Sequence, residues 1–67
     1  MLKIGDKLPN GAIVLDIREK NCEIFILCLW KKEFVSWGYD PQGGTYWGHY
    51  FPSLQEAMAD FDKRISN

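Results

Sequence analysis

Histidine occurs once in this chain, at His49, and cysteine twice, at Cys22 and Cys28. That scarcity excludes much chemistry. A structural zinc site takes four closely spaced ligands, and these three residues lack that spacing. A catalytic histidine would need a nucleophile and an orienting carboxylate. The one thiol that strand pairing could bring near His49 is Cys28, and that pair would lie beneath a helix, away from substrate. No catalytic residue, metal or cofactor is expected. If both cysteines lie on one strand, they stand roughly 20 Å apart at ~3.3 Å per residue. They then cannot bridge each other, and buried thiols acting as small hydrophobes are the expectation.

Long apolar runs are also missing. No segment approaches the roughly 20 residues that span a bilayer, so no membrane association is expected. The opening Met1-Leu2-Lys3-Ile4-Gly5 is too short and too polar for a signal peptide. A cytoplasmic location is expected. Charge of one sign is absent too: the net charge is −1, and the lysines and arginines are scattered among acids. A nucleic-acid binder usually carries a basic stripe, so nucleic acid is an unlikely partner. The glycines of Asp40-Pro41-Gln42-Gly43-Gly44 join two strands, whereas phosphate-cradling loops lead into a helix.

What the chain does have is apolar and aromatic content: 46% hydrophobic residues and 15% aromatics over 67 residues. This is the composition of a globular chain, and its length corresponds to one domain, residues 1–67. A chain this short buries only about 60% of the surface exposed on unfolding. Such domains often gain stability from a partner or from self-association.

The pattern along the chain is that of a β-meander followed by a helix. Leu2, Ile4 and Leu8 sit in a turn-rich opening stretch. Ile13, Leu15 and Ile17 alternate with Val14, Asp16 and Arg18, which predicts a strand over 11–19. The run CEIFILCLW, 22–30, predicts a central strand covered on both faces. EFVSWGY, 33–39, and TYWGHYF, 45–51, predict two more. Asp40-Pro41-Gln42-Gly43 has type I turn chemistry. Ser53 and Glu56 form a capping box, and Leu54, Ala57, Met58, Phe61 and Ile65 make one helical stripe. Asp60 and Arg64 are spaced to pair at i, i+4. The predicted fold is α+β, a four-stranded antiparallel meander with one C-terminal helix on one face.

Two-residue turns at Lys20-Asn21 and Lys31-Lys32, with a loop over 40–44, predict the pairing. Ile17 then faces Ile24, Ile26 faces Trp37, Trp37 faces Trp47, and Val35 faces His49. One face collects these residues with Cys28 and Phe51, and the helix is expected to cover it. The other face collects Val14, Phe25, Leu27, Leu29, Phe34, Tyr46 and Tyr50. An apolar face without a helix is an interaction site unless the segment of Leu2, Ile4 and Leu8 covers it. Phe25, Leu27, Phe34, Tyr46 and Tyr50 are therefore the candidate interaction surface. Its expected occupant is a second copy, in a homodimer, or another protein. The alternative is single-stranded nucleic acid stacked on the aromatics.

The stretch VSWGYDPQGGTYWGHYFPSLQEAMADFDKR, the C-terminal half, resembles short uncharacterised proteins encoded by bacterial, prophage and mobile-element genomes. The resemblance implies a small accessory protein, one that could bind a host factor, and it carries over no functional residue. IGDKLPNGAIVLDI is similar to the opening of SH3-like small barrels, which makes such a barrel with an appended helix the alternative fold.

Overall fold

The computed structural model describes residues 2–66. Four strands, β1 (Ile13–Lys20), β2 (Glu23–Trp30), β3 (Glu33–Asp40) and β4 (Gly44–Phe51), precede one helix, α1 (Leu54–Ser66). The strands form one antiparallel sheet in the order β1-β2-β3-β4. The fold is therefore the α+β meander with a C-terminal helix. The sheet stays open, with β1 and β4 at its edges, so the small-barrel alternative does not apply.

The central hairpin has the expected register. Ile24 pairs with Tyr39, Ile26 with Trp37 and Cys28 with Val35, across a Lys31-Lys32 turn in which Lys31 takes φ 58°. The first hairpin differs. Its turn is Asn21-Cys22, with φ 52° and 67°. Two consecutive left-handed residues make the primed turn whose twist matches the strands, and asparagine tolerates that geometry. The pairing thus moves by two residues, to Ile17 opposite Ile26 and Lys20 opposite Glu23. A shift of two keeps every side chain on its face.

Bulges do not. One between Val14 and Asp16 turns Val14 to the side of Cys28 and sends Leu15 to the opposite side. A second lies in β4, where Trp37 faces the two residues Trp47 and Gly48. Before it, Gly38 pairs with Tyr46; after it, Ser36 pairs with His49, Val35 with Tyr50 and Phe34 with Phe51. The extra residue reverses which side each later residue takes. Phe51 now lies on the Phe34 side, and the chain leads from it through Pro52 and Ser53 into α1.

The helix consequently covers the face expected to be open. Leu27, Ala57 and Phe61 are its buried centre, with Leu15, Phe25, Phe34, Phe51 and Ile65 packed around them. The helix begins where the capping residues place it: Ser53 Oγ accepts from the Glu56 N–H at 3.3 Å, and the Ala57 N–H donates to the Ser53 carbonyl at 3.2 Å. Leu54 and Met58, expected to be inward, are 40% and 46% exposed.

The opposite face is covered by the N-terminal segment. Leu8 and Ala12 are buried there with Val14, Ile26, Cys28, Val35 and Trp37, and Leu2 packs against them. Backbone hydrogen bonds tie the segment to β1: Gly5 N–H to the Val14 carbonyl at 2.7 Å, and Val14 N–H to the Asp6 carbonyl at 2.9 Å. Among the described residues its strand pairing is a single bridge, Lys7 to Ile13.

Candidate functional site

The edge strand β4 carries the most unusual geometry in the molecule. Trp47 adopts φ 50° and is 79% exposed. A bulky residue in the left-handed region is an outlier, and such conformations persist only where the surroundings impose them. Here α1 imposes it: the Arg64 guanidinium donates from Nη2 to the Trp47 carbonyl. Arg64 also pairs with Asp60 one turn earlier, Nε to Oδ2 at 3.6 Å, the i, i+4 pair predicted from spacing. Burial lowers the Arg64 pKa, and the negative charge of Asp60, with a smaller contribution from Tyr46, opposes that shift.

Asp60 holds a second strand residue. The His49 Nδ1–H donates to its carboxylate, 3.0 Å from Oδ1 and 2.9 Å from Oδ2. Asp60 thus links the histidine after the bulge to the arginine that clamps the bulge itself. Tyr46 precedes the bulge and lies flat over Gly38, where a methyl group would sit 2.4 Å from the ring. Its ring meets Trp47 edge-on, with centroids 5.3 Å apart.

Ser36 stands opposite His49 in the ladder, and His49 bonds Asp60. The arrangement does not make a nucleophile. Ser36 is fully buried, and its Oγ has no hydrogen-bond partner among the described residues. An activated serine must be hydrogen-bonded to its base and open to substrate. Cys28, the thiol expected near His49, lies on the other face, facing Val35. Burial pushes its pKa from 9.0 up to about 12, so it stays a protonated thiol at neutral pH.

On that other face, Tyr50 is 48% exposed. It joins Trp30 and Trp37 in an aromatic cluster with centroids 5.5 to 6.1 Å apart. The Trp30 indole N–H donates to the Asn10 carbonyl at 2.9 Å, and the Lys31 ammonium lies 4.7 Å from the Trp30 ring. Gly48 leaves room for Trp37, whose Nε1 would be 2.5 Å from an added methyl.

The residues singled out from the sequence therefore separate. Leu27 is buried beneath α1, and Phe25 and Phe34 are partly buried beside it. The expectation that these three lie on an open face is overturned, because the β4 bulge carries the helix over them. Tyr46 is half-buried and Tyr50 half-exposed, on opposite sides of the sheet. Trp47, assigned to the core by alternation, is the most exposed large apolar residue among the described residues. The one sequence signal there is Gly48, since a glycine inside a strand often marks a bulge.

Among the described residues no cluster of three or more histidine, cysteine, aspartate or glutamate side chains could hold a metal ion. No helix there is long and apolar enough to cross a membrane. Comparison of the chain with models of known protein families, with curated proteins and with solved structures gave no match.

Proposed function

We propose that this chain is a non-enzymatic protein-interaction module that self-associates through the aromatic edge strand, with Trp47 as the anchor and Tyr46 and Tyr50 beside it. The supporting observation is the 79% exposure of Trp47 at φ 50°. A left-handed tryptophan costs about 1–3 kcal/mol relative to relaxed backbone. Glycine would take that position without strain. A large apolar side chain held outward at such a cost contributes little to this domain's own core. Tryptophan and tyrosine are the residues that dominate binding energy in protein interfaces.

The test is solution mass by light scattering over a range of concentrations. Wild type forms a dimer near twice 7.8 kDa. Trp47→Gly lowers the fraction of dimer while leaving thermal stability equal or higher, and Tyr50→Glu also lowers it. A wild-type monomer at every concentration, or a dimer indifferent to both changes, sinks the reading. A host protein in place of the second copy is its heteromeric form. The free cysteines, exposed Cys22 and buried Cys28, fit the reducing cytoplasm.

One observation favours a second reading, binding of single-stranded nucleic acid. Lys31 lies over Trp30, with Lys32 adjacent and the Tyr50 ring tilted 42° to Trp30 at 6.1 Å, which places cations beside rings that bases could stack on. Retention on single-stranded DNA that falls with salt and with Tyr50→Ala supports it. Equal elution from a DNA column and a blank column removes it.

A further inference from the structure

Two concavities meet at Tyr39 and Pro41. One, of about 440 Å³, is lined by Leu2, Ile17, Ile24, Tyr39, Pro41 and Glu19. The other, of about 420 Å³, continues past Pro41 along Leu8, Pro9 and the β3–β4 loop. Together they form a groove between the N-terminal segment and the far end of the sheet. The first concavity is lined by apolar and aromatic side chains apart from one charged group, Glu19; the second adds the polar side chains of Asn10, Gln42 and Thr45. The Glu19 carboxylate enters no ion pair among the described residues. The end of the groove is bordered by Glu23 and Asp40, which line an adjoining hollow with Tyr39. Asp40 is engaged with the Gln42 N–H at 3.0 Å in the turn. Lys20 is the neighbouring cation, and strand alternation turns it to the helix side, away from Glu19.

We infer that this groove receives an extended segment of a partner protein that presents arginine or lysine beside an apolar residue. The apolar floor accepts the side-chain stem or its neighbour, and Glu19 meets the cationic head. Charge complementarity of this kind sets the choice of partner and the encounter rate more than the affinity. The Glu19 end of the groove has no β4 residue in its lining, so a dimer formed through Trp47 leaves that end open.

A dye-labelled short peptide alternating arginine and leucine is the probe, read by fluorescence anisotropy. It binds the full chain, and added salt weakens it. Glu19→Gln weakens binding about threefold and Glu19→Lys about tenfold, the range of a partly exposed charge pair. Glu19 is exposed, so neither change threatens folding. Glu56→Gln on the helix leaves binding unchanged. The matching glutamate-leucine peptide does not bind. Failure of the arginine peptide to bind overturns the inference. Equal weakening by Glu56→Gln does so as well, since it signals diffuse attraction.

Discussion

The two faces of the sheet are closed by different means. The helix face is closed by a regular element with its own cap, and one large side chain, Phe61, fills its centre at 1% exposure. Arg18 lies over the Phe61 ring at 5.8 Å from the centroid. The opposite face is closed by an irregular segment tied to β1 by backbone hydrogen bonds, with Leu8 and Ala12 as its buried side chains. A helix carries its backbone bonds internally, so it can dock by side chains alone. The loop bonds its backbone partly to itself and partly to β1, at Gly5, Asp6 and Val14, which holds it against that edge of the sheet. That is why the segment protects the middle of its face while Tyr50 and the Tyr39 groove stay accessible.

The contrast can be broken by substitutions. Phe61→Ala removes the centre of the helix face and costs about 3–5 kcal/mol, enough to leave a domain of this size largely unfolded. Chemical denaturation followed by tryptophan fluorescence measures it. Leu8→Ala on the segment face costs less, about 2 kcal/mol, because a loop can settle into part of the space. Equal losses from the two changes would show that the segment packs as firmly as the helix.

Gly48→Ala tests the aromatic cluster on the segment side. The new methyl meets the Trp37 indole at 2.5 Å, and such overpacking costs about 1–3 kcal/mol. Ser36→Ala has the opposite sign. Its hydroxyl is buried beneath the helix without a described partner, so removing it leaves stability unchanged or raises it by about 1 kcal/mol. A clear loss would mean that the hydroxyl is bonded after all.

The smallest effect under ordinary conditions is that of the Cys28 thiol. Burial raises its pKa from 9.0 to about 12. The folded state therefore binds this proton more tightly than the unfolded state does. The associated stability is fully present below about pH 9 and is lost as pH rises toward about 12. Denaturation midpoints between those limits fall by more in wild type than in Cys28→Ala. At neutral pH a thiol reagent modifies Cys22 quickly and Cys28 only on unfolding.

Local signals were legible at particular residues. The Ser53 cap, the Asp60–Arg64 spacing and the Lys31-Lys32 turn each depend on a few neighbours, and each is found where the sequence places it. The Asn21-Cys22 turn was misplaced by one residue, because Lys20-Asn21 and Asn21-Cys22 lack the Asn-Gly signature that separates them. The candidate surface was legible only in part. Tyr50 is half-exposed, but on the side of Val35 and Trp37 and not beside Leu27, which is buried, while Trp47 is exposed. Alternation assigns faces correctly only until one residue is inserted, and no local propensity marks either bulge decisively.

Strand order, helix position and the presence of aromatics on both sides of the sheet follow from the amino-acid sequence by itself, since they rest on periodicities within single elements. Which face the helix covers was decided only in the tertiary structure. Trp47 leaves the ladder at φ 50°, His49 and Phe51 change sides, and Asp60 and Arg64 close on the strand from the helix. The physical reason is parity: side chains alternate with a period of two, so a single extra residue, stabilised by contacts far along the chain, reverses everything that follows it.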